Sequence, residues 1–382
     1  MKNKFKFFGI AVVIAAIVFG TVLLFTGCKE TENENNKLSG GSVFKSVDEF
    51  YFWLEKQPAN TAATAYTAKI NGNELNGAFL LRFTNKYYYL DCSESKATSI
   101  DFGGCATLIG IILPNSVISI GEGAFSDCTS LKEIIIPNSV TSIEGGPVWG
   151  AFSDCTSLTK VTIGTGVKSI GEGAFSGCTS LTSVTIPDSV TNIEGRAFFG
   201  CTALTKVIIG NGVKNIMGAI NYNGEVGAFE NCTRLTSITI GNNVITIGKN
   251  TFKGCISLTN IIIPNSVNEI GEGAFSDCTD LVIVTIGSGV TKIESLAFAD
   301  CTSLTSITIP SNVTDIGAGA FDNCTGLTSV TFLGTITSDN FIDCWYPFPG
   351  DLRDKYLTED GGIGTYTTTA PTTLDSVWTK QE

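Results

Sequence analysis

Histidine does not occur in the 382-residue chain. Its absence removes the commonest general base, the commonest neutral metal ligand and every Ser-His or Cys-His nucleophile pair. Charge is also scarce. Asp, Glu, Lys and Arg make up 16% of the residues, with 24 basic against 36 acidic for a net charge of −12. A nucleic-acid partner requires clustered Lys and Arg to neutralise phosphates, so the acidic surplus argues against that class. Cysteine is plentiful at 13, yet no C-x-x-C pair occurs. Without such pairs or histidine the usual zinc ligand sets are missing, and no metal or cofactor is expected. What is present is a chain with 43% hydrophobic residues, ample for a large core.

The amino terminus has the pattern of an export signal over residues 1–27. Lys2, Lys4 and Lys6 precede an unbroken apolar run from Phe7 to Phe25, and Thr26-Gly27-Cys28 follows. A cysteine directly after small residues at the end of such a run resembles a bacterial lipobox, which implies that Cys28 is lipidated and becomes the first mature residue. The alternative is a plain membrane anchor, because the run is long enough to span a bilayer. Either reading exports the body. Loss of residues 1–27 removes three lysines and no acid, leaving −15. Residues 28–42, rich in Glu and Asn and ending in Gly and Ser, form a tether. Residues 43–98 form a non-repeating cap. In it, Ser46 precedes a helical pattern with apolar positions 47, 50, 51 and 54, and Tyr66–Ile70 and Tyr87–Asp91 look like strands.

From residue 99 to 332 the chain repeats. Phe-x-x-Cys, or its looser form, recurs at Cys105, Cys128, Cys155, Cys178, Cys201, Cys232, Cys255, Cys278, Cys301 and Cys324. The intervals are 23 residues except for one of 27 and one of 31, a fixed period with insertions of four and eight. That is the mark of a solenoid of about ten turns, roughly 48 Å of stacked strands, followed by a cap over 333–382. Within Leu181–Ala203, Leu181, Val184 and Ile186 face inward from a short parallel strand, and Val190 and Ile193 do so from the opposite side. Ala197, Phe198 and Cys201 return through a short helical turn. No such unit buries its apolar side chains alone.

These residues resemble the leucine-rich repeats of BspA-like bacterial surface proteins, whose units are similar to LTSVTIPxSVTSIGxxAFxxCTS. Leu181–Ala203 and Leu304–Gly326 match almost throughout. The carboxyl segment resembles the closing cap of spirochaete members in Asp351–Leu357, Gly361–Thr368 and Trp378. The resemblance implies a leucine-rich-repeat solenoid on a non-catalytic surface protein that binds host matrix proteins or other cells. A passive spacer or antigenic coat and a carbohydrate-binding module are the rival readings.

Ten cysteines in register admit either disulfides or a ladder of buried thiols. Stacked side chains project in parallel, which leaves their Cβ atoms near 5 Å apart, wider than a disulfide prefers, so the ladder is favoured. A serine in this ladder would bury a hydroxyl with no partner. The acids Glu122, Glu172, Glu272, Asp127, Asp154, Asp277 and Asp300 are expected as solvated loop residues, with shared calcium as the lesser option. Outward positions of L-x-x-V-x-I carry Thr and Ile, and the only charges among them are Lys132, Glu133, Lys160 and Lys206. A sheet face of low charge that carries Ile208, Ile262, Val282 and Ile283 is one candidate protein-binding surface. The insertions, with Trp149 and Tyr222, are the other.

Overall fold

The computed structural model describes residues 42–221, 224–337 and 347–382. Cys28 and the apolar run before it, Tyr222 and Cys344 lie outside the described residues. Residues 42–382 form one compact unit, in which no described helix is long and apolar enough to cross a membrane.

The repeat winds into ladders of short parallel strands. Each solenoid turn contributes a front strand, such as Ser183–Ile186, and every turn but the last also has a two-residue back strand among the described residues, such as Asn192–Ile193. Both kinds stack in parallel on their equivalents one turn away, with Ser183 opposite Lys206 in front and Asn192 opposite Asn215 behind. All eight inward positions of the representative turn, from Leu181 to Cys201, are buried. The period of 23 therefore works as a packing rule: each apolar side chain is covered by its copies above and below.

The segment expected as a short helical turn is instead a chain of reverse turns. Within it Ala197, Phe199 and Cys201 donate their amides three residues back, to Glu194, Arg196 and Phe198. The alternate amides of Arg196, Phe198 and Gly200 donate to the next solenoid turn, at Gly227, Ala228 and Glu230. A helix cannot run through this pattern, because Arg196 and Gly200 adopt left-handed backbone angles of 59° and 67°. Stacking of the turns takes the hydrogen bonds that a helix would keep for itself.

Phenylalanines of this segment form a continuous column. Phe102, Phe125, Phe152, Phe175, Phe198, Phe229, Phe252, Phe275, Phe298 and Phe321 stack in order, 5.0–5.9 Å apart and within 20° of parallel. Phe348, in the segment that follows the repeats, extends the column at 4.7 Å from Phe321, and Pro347 supplies the carbonyl that Phe321 would otherwise take from another repeat. Gly364–Thr367 then pairs antiparallel with Ser329–Phe332, and Thr379–Lys380 pairs with it as the last strand of that sheet.

At the other end, Tyr66–Ile70 pairs in parallel with Tyr88–Asp91, which pairs in parallel with Leu108–Ile112. They continue the front sheet, so the described stack has twelve parallel front strands from Tyr66–Ile70 to Ser329–Phe332 rather than ten. Ser42–Phe44 adds one more strand at the edge. Helix Val47–Glu55 covers this end, with Ser46 accepting the Glu49 amide at 3.1 Å and Val47, Phe50, Tyr51 and Leu54 buried.

Candidate binding surfaces

The front sheet presents three outward positions per solenoid turn. At the first of them, threonine hydroxyls bond the carbonyl one turn earlier. Thr159 Oγ1 donates to Lys132 O at 3.0 Å, Thr205 to Thr182 O at 3.0 Å and Thr236 to Thr205 O at 3.1 Å. This row of threonines is thus partly structural, lengthening the backbone ladder with side-chain bonds. From Thr159 to Thr328 it is interrupted once, at Val282. The following residue, Ile283, occupies a row that otherwise holds Glu, Lys, Ser and Asn between Glu133 and Ser329.

Val282 and Ile283 stand on a distinct piece of sheet. Asn260–Ile262 and Ile283–Thr285 pair only with each other, as a two-stranded sheet separate from the nine-stranded sheet on one side and the four-stranded sheet on the other. Ile262, Val282 and Ile283 are 68%, 40% and 60% exposed. At the preceding strand, Ser237–Thr239, the inward Ile238 is only half-buried. Ile208, flanked by Thr185 and Thr239 in the nine-stranded sheet, is half-buried, whereas the equivalent Ile135 of that sheet is 46% exposed. Ile208 therefore lies two strands from the exposed group, not within it. Exposed Ile256, at a position usually held by threonine, was missed by sequence reasoning. Its signal was that departure from the repeat.

Both insertions leave the solenoid immediately after a back strand. The first follows Ser142–Ile143, and the second follows Asn215–Ile216 and folds into a hairpin of Gly218–Asn221 with Gly224–Gly227. They return through Gly150 and Gly227, where a β-carbon would collide with the carbonyl oxygens of Gly173 and Asn250. Lys249 fastens the base of the hairpin, with Nζ 3.3 Å from Glu225 and 3.0 Å from Glu272. Trp149 is 48% exposed on the first insertion. These insertions emerge on the back-strand side of the core, so they are a separate surface from the front sheet.

The acids have a backbone role that their charge concealed. Asp127, Asp154, Asp277 and Asp300 all adopt left-handed angles between 56° and 60°, and the equivalent positions in other turns are Gly or Asn. These are the residue types that enter this region at least cost. Burial, reinforced by Asp127, raises the Asp154 carboxyl above the usual range. Glu172 is likewise raised by burial, against the opposing pull of Arg196. Among the described residues no three Cys, Asp or Glu side chains gather in a group that could hold a metal ion.

All ten repeat cysteines are buried and unbridged, as is Cys92. From Cys128 onward each thiol donates to the carbonyl of the column phenylalanine one turn earlier, as Cys201 Sγ does to Phe175 O at 3.2 Å and Cys232 to Phe198 O at 3.3 Å. The slot expected to leave a hydroxyl without a partner therefore contains an acceptor. Burial pushes the thiols of Cys105, Cys201 and Cys255 up to about 12. Protonated thiols of this kind are poor nucleophiles and poor metal ligands.

No curated protein is a significant match to the chain. Among solved structures, a leucine-rich repeat protein from Bacteroides ovatus is 28% identical, covers 72% of this chain and 79% of its own, and superposes with a TM-score of 0.42. A leucine rich cell surface protein from Faecalibacterium prausnitzii is 27% identical over 78% of this chain and 84% of its own, with a TM-score of 0.43. A leucine-rich repeat protein from T. pallidum is 26% identical over 51% of this chain and 77% of its own, at 0.36. The model of the BspA type leucine rich repeat region matches residues 98–225 and 223–345, well over half of the sequence. With its period, its paired parallel ladders and its Phe-Cys column, the chain belongs to the BspA-type leucine-rich repeat family.

Proposed function

We propose that this protein is an exported, lipid-anchored binding module that engages another protein, such as a matrix component or the surface of another cell, through its front sheet. Leucine-rich-repeat solenoids are typically non-catalytic binding scaffolds, and this one has no histidine with which to build the commonest catalytic pairs. In this reading residues 1–27 are removed, Cys28 carries the lipid, 28–42 tether the body, and the 99–332 solenoid between caps 43–98 and 333–382 presents the ligand surface.

One observation carries the choice of surface. At Val282 and Ile283 the repeat abandons its polar outward residues, and with Ile262 on the paired strand they expose three apolar side chains where the front sheet divides. Neither the threonine ladder nor the core requires this, and local rules broken without structural gain mark functional sites. Outward positions from Thr236 to Thr331 carry no charge, although the mature chain is −15. Low charge around an apolar centre suits a protein interface.

The test compares capture of matrix proteins and cell-surface extracts by the mature protein and by two variants. Ile262→Lys, Val282→Glu and Ile283→Lys combined should weaken capture at least tenfold while the thermal midpoint stays near the parent value. Trp149→Ala with Tyr222→Ala should leave capture intact. The reverse result moves the site to the insertions, and unchanged capture by both leaves the passive spacer. Mass spectrometry of membrane-extracted protein should find residues 1–27 absent and a diacylglyceryl group on Cys28.

A further inference from the structure

We propose that the N-terminal cap also seats on a lipid surface, through Phe52, Phe79 and Leu81; this rests on the lipid anchor proposed for Cys28. Helix Val47–Glu55 buries the face formed by Val47, Phe50, Tyr51 and Leu54, and Phe52 lies outside that face with 60% exposure. The short 3₁₀ segment Ala78–Arg82 does the same: Leu80 is fully buried while Phe79 and Leu81 are 47% and 46% exposed. Tyr51 joins the two elements, its ring 5.2 Å from that of Phe52 and 5.6 Å from that of Phe79. Two of these three exposed apolar side chains, Phe52 and Phe79, are thus packed against the same buried tyrosine at this end of the solenoid, and the core has no use for the three. A cluster of this kind marks an interaction surface more strongly than isolated exposed residues do.

Two further observations select lipid as the occupant. The first is position. Ser42, the first residue of the body, is fourteen residues from Cys28, a span of at most about 48 Å, whereas the last front strand lies eleven strand spacings, about 53 Å, beyond the first long strand of the cap. The cap is the part of the body nearest along the chain to the lipid proposed at Cys28. The second is charge. Residues 42–98 contain six basic and six acidic residues, while residues 99–382 contain 13 and 27. Around the apolar group both signs are present: Asp48 and Glu55 flank Phe52 along the helix, Arg82 follows Leu81, and Lys86 Nζ binds the carbonyls of Leu54 and Glu55 at the helix end. A zwitterionic headgroup layer offers amines and phosphates to such a surface, and aromatic side chains favour that depth. The strongly acidic remainder has no such match and stays in solution, which leaves the front sheet free for its ligand.

The test uses the full lipidated chain in vesicles of phosphatidylcholine and phosphatidylethanolamine. Ala78→Cys, beside Phe79, and Thr308→Cys, on the distal front sheet, each receive an environment-sensitive nitrobenzoxadiazole label, with the unsubstituted chain as background. The buried ladder thiols stay unlabelled in the folded protein. Brominated lipid should quench the label at position 78 severalfold and leave that at position 308 unchanged. Adding Phe52→Ser, Phe79→Ser and Leu81→Ser should abolish quenching at 78 while flotation with the vesicles and the circular dichroism spectrum are retained. Flotation without quenching at 78, or equal quenching at both positions, overturns the seating alone. Failure of the parent chain to float overturns the anchor reading and this proposal with it.

Discussion

Replacing Phe198 with alanine removes an interior ring of the phenylalanine column, which lies 5.2 Å from Phe175 and 5.0 Å from Phe229 with both pairs nearly parallel. The ring is fully buried. Deletion of a buried phenylalanine ring costs about 3–5 kcal/mol, and the figure falls when neighbours collapse into the space. Collapse is restricted here, because the Phe175 amide is held 2.7 Å from Ala197 O and that of Phe198 2.7 Å from Ala228 O. A loss of at least about 4 kcal/mol, the middle of the range or above, is therefore expected. Because solenoid turns contact only their neighbours, most of this loss should fall locally. The repeat cysteines report on it: Cys178, Cys201 and Cys232 lie on the turn of Phe198 or the turns beside it, while Cys301 is four turns away. Thiol labelling in native buffer, followed by peptide mapping, should show a rise at those three approaching a thousandfold, with Cys301 little changed. An equal rise at Cys201 and Cys301 would refute the nearest-neighbour reasoning. A urea-derived stability change below about 1 kcal/mol would refute the packing estimate.

Cys201→Ser should cost only about 1–2 kcal/mol, since the hydroxyl inherits Phe175 O as acceptor; a loss above about 4 kcal/mol in urea melts would show that the shorter side chain fails to reach it. Alkaline pH should destabilise the protein. With folded thiols at about 12 against an ordinary 9.0 at Cys105, Cys201 and Cys255, the unfolded chain holds fewer protons between those values. Stability is full below pH 9 and is lost towards pH 12, and a urea midpoint flat from pH 8 to 11 would contradict this. At left-handed Asp277, alanine should cost about 1 kcal/mol while glycine is tolerated, so equal melting of the two variants would remove the backbone explanation for these acids.

The sequence alone determined the solenoid, because each turn repeats one set of inward positions. Leu181, Val184, Ile186, Val190, Ile193, Ala197, Phe198 and Cys201 are all buried as the spacing required. The helix after Ser46 was legible for the same reason, since its apolar spacing matches one helical face. Tertiary structure decided what depends on a neighbouring turn. The returning segment gives its alternate amides to the next turn and so forms reverse turns, a choice that no local propensity encodes. Asp127 and its equivalents looked like solvated charges until their backbone angles showed why Gly, Asn and Asp share the position. Above all, Ile208 and Ile262 occupy the same place in the repeat, yet one is half-buried and the other 68% exposed. Ile135, the equivalent residue near the other end of the nine-stranded sheet, is 46% exposed. Exposure of a side chain on a strand is set by what stands on the adjacent strands, and only the stacked structure supplies that information.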